Sequence, residues 1–347
     1  MQVLATGVRR DERPLLERAF APRHEVRCVE APLTEETLPL AAGFEAVSTG
    51  VSAVLDAPAL EALVRGGTRL VTQRSTGHNN IDLAHAERLG LTVARVTGYS
   101  PYSVAEFAWT LAAAVNRRIV RSVARTRDAD TRLDGLLGRD FHGRTAGVVG
   151  TGRIGSAFAA IARGFGMKLL GWDIEVDPGC QEMGLEYVEL DRLLRESDLV
   201  SLHVPLMPST HGLIGARRLA EMKEGVLLVN TSRGALVDTA ALAEALATGR
   251  VGGFGMDVYE EEAGPALDPR FHRAAAAAGA DGPDGDGDGE RDDNLSPLLV
   301  FDQVLVTSNQ AYFTVDALEE IAAATVRNVD DYLAGRITEC TLIPKSP

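Results

Sequence analysis

Residues 145–173 read TAGVVGTGRIGSAFAAIARGFGMKLLGWD, and the order of residue types in this stretch dictates a strand, a tight turn, a helix and a second strand. Ala146-Gly147-Val148-Val149 is the apolar run of a buried parallel strand. Gly150-Thr151-Gly152-Arg153-Ile154-Gly155 then fits G-x-G-x-x-G where that strand turns into a helix. Gly150 permits the sharp turn, Gly152 lets backbone approach a pyrophosphate with no Cβ in the way, and Gly155 lets the helix lie close against the strand. The phosphates would face free N–H groups at the helix N-terminus. Asp173, at the tip of the second strand, is placed to accept hydrogen bonds from an adenosine ribose 2′-OH and to repel a 2′-phosphate. The expected cofactor is therefore NAD rather than NADP.

Outward from this stretch, short apolar runs alternate with helical stretches in both directions. Before it, strands are expected at Gln2-Ala5, Glu25-Val29, Ala46-Ser48, Arg69-Thr72 and Leu91-Val96. Helices are expected near Asp11-Phe20, Thr34-Ala42, Asp56-Arg65 and Asp82-Leu89. After it, strands at Leu199-His203, Val226-Asn230, Gly252-Asp257 and Val304-Thr307 alternate with helices in the same way. Strands separated by helices imply parallel sheets. The expected fold class is α/β with two Rossmann-like, doubly wound parallel-sheet domains: a flavodoxin-like substrate domain and an NAD-binding Rossmann domain. Ser100-Pro101 marks a helix start that should run unbroken to about Thr126. An amphipathic helix at Val315-Leu333 is expected to return to the first domain. The boundaries so read are 1–100 plus 312–347 for the substrate domain and 101–311 for the NAD-binding domain.

Residues 274–294, AAAAAGADGPDGDGDGERDDN, break the alternation and predict a mobile acidic loop. Its Asp-Gly run imitates a calcium loop from Asp284, but Leu295 stands where the bidentate Glu belongs, so no metal is expected. The chain of 347 residues is 45% apolar with mean hydropathy near zero, and no apolar run reaches membrane-spanning length. A net charge of -14, swollen by that loop, argues against nucleic acid and anionic membranes as partners. Scattered Cys28, Cys180 and Cys340 have neither metal nor redox spacing, and MQVLATGVRR reads as a first strand rather than a signal peptide. A cytoplasmic location is expected.

Two clusters at strand ends carry candidate chemistry. Arg233, in Asn230-Thr231-Ser232-Arg233-Gly234, offers a planar charged fork suited to a carboxylate, with a surface ion pair as the alternative. Asp257-Val258-Tyr259-Glu260-Glu261-Glu262 holds acids that either orient a catalytic group or form a solvated turn.

With Gln73-Arg74-Ser75-Thr76-Gly77-His78-Asn79-Asn80-Ile81-Asp82, Tyr99-Ser100-Pro101, Val148–Gly155 and Ser201-Leu202-His203-Val204-Pro205-Leu206, these blocks give the chain its resemblance. It resembles, over nearly its whole length, the D-isomer-specific 2-hydroxyacid dehydrogenase family, and most of all the D-lactate dehydrogenases and VanH-type pyruvate reductases. The resemblance implies NAD-dependent interconversion of a small 2-oxo acid and a D-2-hydroxy acid, an oxidoreductase of class EC 1.1.1. It implies NAD bound between a discontinuous substrate domain and the central Rossmann domain, and a homodimer formed through the Rossmann domain and the helix after Ser100. It puts Arg153 and Ile154 on the pyrophosphate, Asp173 on the ribose, and Val204, Pro205 and Thr210 along the adenosine. Thr231, Ser232 and Asp257 fall near the nicotinamide. Thr76 and Gly77 would hold the substrate carboxylate, with Tyr99 and Tyr312 nearby, Arg233 on carboxylate and carbonyl, and Glu262 supporting the catalytic histidine.

At that histidine the chain departs from the family. Its T-x-H-x-A segment is here Thr307-Ser308-Asn309-Gln310-Ala311, so Asn309 stands at the position of the proton donor. An imidazolium supplies both charge stabilisation and a proton to the developing alkoxide, whereas an amide donates a hydrogen bond and cannot titrate. The replacement proton source is open between a water held by Glu262 and Asn309, Tyr99 or Tyr312, His78, and a substrate that carries its own acid, such as phosphonopyruvate. A non-enzymatic, NAD-sensing, corepressor-like relative is the competing expectation.

Overall fold

In the computed structural model, residues 1–78, 80–258 and 296–344 are described. Glu262 and the acidic segment 274–294 lie outside them. The described residues divide into two compact units, one over Met1–Ser100 and from Tyr312 onward, the other from Pro101 to Ala311.

The first unit is organised by five short strands, buried at the centre and open at the β2 edge: β1 (Gln2–Ala5), β2 (Glu25–Cys28), β3 (Ala46–Thr49), β4 (Leu70–Gln73) and β5 (Thr92–Arg95). They run parallel in the order 2-1-3-4-5, the flavodoxin arrangement, and Thr341–Ile343 adds an antiparallel edge on β5. β3 and β4 are buried at every position, as parallel strands covered on both faces must be. The helix Val315–Leu333 starts at Thr314, whose hydroxyl accepts from Ala317 N, and buries Leu318, Ile321 and Val329 on one face. Asn328 on that face donates to Thr72 Oγ1 (3.1 Å) and Arg95 O (3.0 Å), so the C-terminal helix is tied to β4 and β5 by a buried amide as well as by apolar area.

The second unit holds β6 (Thr145–Val149), β7 (Lys168–Trp172), β8 (Leu185–Tyr187), β9 (Leu199–Leu202), β10 (Val226–Asn230), β11 (Val251–Met256) and β12 (Val304–Val306). All are parallel, in the order 12-11-10-9-6-7-8. From β6 the order therefore steps to β7 and β8 on one side and from β9 to β12 on the other, so that it reverses between β6 and β9. In open α/β sheets ligands bind outside the strand C-termini at such a switch point. The helices Pro101–Asn116 and Arg153–Gly164 pack on one face around Trp109 and Phe158. Leu190–Glu196, Ala216–Glu221 and Thr239–Ala247 cover the other.

Three local expectations are corrected. The helix from Ser100 to Thr126 is two helices, Pro101–Asn116 and Ile119–Arg127, because Arg118 takes the left-handed region at φ 52°. Its guanidinium caps Val115 O (3.2 Å) and reaches Gly252 O (2.9 Å), while the Asn116 amide exchanges hydrogen bonds with the Arg139 backbone. Nothing local announces this break, which is made by long-range partners. Around Thr34-Ala42 only the 3₁₀ turn Leu38–Ala41 forms, since Thr37 Oγ1 accepts from Thr34 N and donates to Pro32 O, an alternative to helical bonding. The short helix Pro178–Glu182 and the edge strand β8 were not legible in the apolar pattern. Among the described residues no helix is long and apolar enough to cross a membrane.

Candidate active site

The glycine turn has the geometry its sequence demands. Gly150 stands at φ 93°, and a Cβ there would fall 2.8 Å from the His203 carbonyl carbon, on the neighbouring strand across the switch point. A Cβ on Gly155 would lie 1.9 Å from Gly150 O, so the helix packs where only a hydrogen fits. A Cβ on Gly152 would meet nothing within 4 Å, which leaves open space over the turn at the helix N-terminus. Asp173 is half-buried beside this turn. Its Oδ2 accepts from Thr151 N (2.6 Å) and Thr151 Oγ1 (3.2 Å), and its Oδ1 accepts from Ile174 N (2.7 Å). The carboxylate is thus oriented by the protein alone. Arg153 is the exposed first residue of the following helix, and Ile154 turns inward against Phe158 and its neighbours.

Across the switch point, the ends of β9 and β10 are laced together. Ser232 Oγ donates to Val204 O (2.6 Å), Asn230 Nδ2 donates to Arg233 O (2.8 Å), and Ser232 N donates to Asn230 Oδ1 (3.0 Å). Asn230, 1% exposed, organises the loop that presents Arg233, a role its place in the strand-end block hinted at but did not assign. Arg233 Nη1 donates to Ser232 O (2.7 Å), which steers the guanidinium from its base. Thr210 spends its hydroxyl on Pro205 O (2.7 Å) and accepts from Met207 N (2.8 Å), so it shapes the turn after Pro205. Thr231 Oγ1 is buried with no hydrogen-bond partner among the described residues. His203 is half-buried as a residue, but its Nε2 is enclosed without a partner, its ring lies 5.2 Å from that of Phe158, and burial pushes its pKa down to about 3. A ring neutral at physiological pH is no general acid, and His203 takes no part in an ionisation between pH 6 and 7.

Asp257, at the end of β11, is 1% exposed and accepts from Thr307 Oγ1 (2.6 Å), Gln310 N (3.0 Å) and Ala311 N (2.6 Å). It clamps the turn after β12, on which Asn309 sits half-buried at φ 50°. Asn, Asp and His are the residues that tolerate this left-handed backbone best. Burial raises the Asp257 pKa, and the hydrogen bonds from Thr307 and the backbone pull it back only in part. The folded chain therefore holds this proton more tightly than the unfolded chain. The resulting stabilisation is complete below the ordinary aspartate value of 3.8 and is lost as pH rises through the higher folded value. Asp257→Asn leaves one acceptor oxygen where two are used, and a buried N–H without a partner costs ~1–3 kcal/mol. Relief of carboxylate burial offsets part of this at neutral pH, so a net loss of about 1–2 kcal/mol is expected there. Urea unfolding should show the gap between wild type and variant widening as pH falls towards 4; a gap independent of pH would remove Asp257 as the titrating clamp.

In the first unit, the turn after β4 is built around Gln73. Its Nε2 donates to Ser75 Oγ, Gly77 O and Asn80 Oδ1 (3.0–3.3 Å), and Oε1 accepts from Thr49 Oγ1 (2.9 Å). Arg74 points the other way, into a buried pair with Glu12 (2.7 Å). Arg95 Nη1 donates to Thr76 O (2.8 Å) and to His78 Nδ1 (3.0 Å), so the His78 proton lies on Nε2. Arg95 braces the Thr76–Gly77 turn although its sequence position, the last of a strand, carries no such signal. Tyr99 and Tyr312 meet edge to face at 5.9 Å, and Tyr312 Oη accepts from Arg9 (3.2 Å).

These residues fit a dinucleotide: open space over Gly152, an oriented carboxylate at Asp173, and the unpartnered Thr231 hydroxyl at the end of β10. Comparisons with known proteins agree. The NAD binding domain of the D-isomer specific 2-hydroxyacid dehydrogenases matches residues 109–309. The D-lactate dehydrogenase kk1H of Curvularia clavata is 46% identical over 323 residues, covering 93% of this chain and 88% of its own. The D-lactate dehydrogenase of Escherichia coli is 42% identical over 303 residues, covering 87% and 88%. Among solved structures, the apo form of the Escherichia coli D-lactate dehydrogenase superposes with a TM-score of 0.86 at 38% identity over 99% of this chain and all of its own. The pyruvate reductase of Chlamydomonas reinhardtii gives 0.88 at 35% over 98% of both.

Proposed function

The chain belongs to the D-isomer-specific 2-hydroxyacid dehydrogenase family, and on that premise we propose that it reduces a small 2-oxo acid to the D-2-hydroxy acid with no imidazole at residue 309. The observation that carries this reading is the turn after β12, where an amide, Asn309, occupies a backbone position held by the Asp257 carboxylate. NADH supplies the hydride. Arg233 binds the substrate carboxylate with its fork and stabilises charge growing on the carbonyl oxygen. The Thr76–Gly77 turn, with Tyr99 and Tyr312, keeps the substrate-binding role that its sequence position implies. Glu262, outside the described residues, keeps the supporting role that its sequence position implies.

Asn309 donates a hydrogen bond to that oxygen but has no proton to transfer, so the proton arrives from another group. A substrate with its own titrating acid, of which phosphonopyruvate is the simplest, is the alternative within the class; a phosphate ester's second pKa of about 6 sets the scale. NADH oxidation on a panel containing pyruvate and phosphonopyruvate, from pH 5 to 9, tests the reading. Turnover is expected without the ionisation near 6.5 that an unperturbed histidine imposes. NADH binding with no turnover on any 2-oxo acid would favour the NAD-sensing alternative.

The family's homodimer is part of the proposal. Ile119, Val120 and Val123 on the helix Ile119–Arg127, with Leu133 and Leu137 beyond it, are exposed apolar side chains of the kind an interface covers. The chain's free thiols, Cys28, Cys180 and Cys340, support a reducing, cytoplasmic setting.

A further inference from the structure

We infer that Tyr187 is a positioning residue for cofactor choice, acting through Thr151 on the Asp173 carboxylate. Tyr187 ends β8 and pairs in register with Gly171, two residues before Asp173. Its hydroxyl accepts from Asp177 N (2.9 Å) and lies 2.8 Å from Thr151 Oγ1. A backbone N–H can only donate, so the single phenol proton goes to Thr151, and the Thr151 proton in turn goes to Asp173 Oδ2. The buried Cys180 thiol lies beside the phenol and competes only as a weak partner. The relay is therefore directional, from the start of the helix Pro178–Glu182 through Tyr187 and Thr151 to the carboxylate.

The consequence follows from where the lone pairs remain. With Oδ2 bound by the Thr151 backbone and hydroxyl, and Oδ1 by Ile174 N, Asp173 cannot swing away from the place where a ribose 2′-OH must hydrogen-bond. A 2′-phosphate brought there meets a fixed negative charge instead of one that can turn aside. Without the phenol, Thr151 Oγ1 loses the donor that fixes its rotor, its 3.2 Å bond to Asp173 loosens, and the carboxylate is left to the backbone N–H groups of Thr151 and Ile174. The loss falls on NADH, which uses the fixed carboxylate, and spares NADPH, which is repelled by it. Tyr187 thus sets specificity without touching the cofactor. This inference rests on the reading of Asp173 as the ribose ligand.

The test measures dissociation constants of NADH and NADPH by nucleotide fluorescence and calorimetry, which needs no turnover. Wild type is expected to prefer NADH. Tyr187→Phe should weaken NADH about five- to tenfold, the worth of about one ordinary hydrogen bond, with NADPH affinity unchanged or improved. Thr151→Val should reproduce the effect, Thr151→Ser should keep the wild-type preference, and the double variant should be no worse than either single one. Thr151→Val carries the test if Tyr187→Phe does not fold. A wild type indifferent to the 2′-phosphate would overturn the ribose reading itself. A wild type that prefers NADH, with both variants within twofold of that preference or weakening both nucleotides in parallel, would overturn the role of Tyr187 alone.

Discussion

Arg233→Lys is expected to lower kcat/KM for the 2-oxo acid by about 10²–10³-fold, the cost typical of removing one preorganised donor from a developing oxyanion. The reason is geometric. Arg233 already donates one Nη1 hydrogen bond to Ser232 O, and the loop that presents it is held by buried Asn230. A guanidinium can keep that anchor and still offer a planar pair of N–H groups to a carboxylate and its neighbouring carbonyl. An ammonium is a point charge with rotating donors and cannot do both. NADH affinity should be nearly unchanged, because the glycine turn and Asp173 are untouched. Turnover within a factor of two of wild type would remove Arg233 from the reaction.

Asn309→His is expected to act in the opposite direction. General acid catalysis contributes on the order of 10²–10⁴-fold, and kcat on pyruvate should rise within that range while an ionisation near 6.5 appears in the pH profile. The backbone permits the change, since residue 309 is left-handed at φ 50° and histidine is among the side chains that tolerate it. Asp257 holds the turn through backbone groups of Gln310 and Ala311, which the substitution leaves in place. On phosphonopyruvate the gain should be small or absent, because a substrate that brings its own acid does not need a second one. A variant that folds, binds NADH and shows neither faster pyruvate reduction nor a new ionisation would show that residue 309 does not face the reacting oxygen.

Local chemistry sufficed for the parts of this protein in which a residue's identity and its neighbours in the chain impose a single conformation. The run 145–173 is such a part: apolar strand, glycines that only a turn and a close helix can use, and an acid at the next strand's tip. The alternation of apolar runs and helices likewise implied two parallel sheets. Strand order and the switch point between β6 and β9 do not follow from the alternation alone, since which strands pair is settled by packing over long separations, but the doubly wound, flavodoxin-like expectation carried them and the observed orders agree with it.

The site divides along the same line. That Asn309 replaces a titrating residue is legible from the letters alone. That Asp257 spends its carboxylate on the turn carrying Asn309, that Arg95 braces the Thr76–Gly77 turn, and that Tyr187 reaches Thr151 are not. Each joins residues brought together only by the sheets, and a hydrogen bond depends on distances of a few tenths of an ångström that sequence spacing does not encode. The break at Arg118 has the same origin: its guanidinium finds Gly252 O, 134 residues away, and no glycine or proline marks the place.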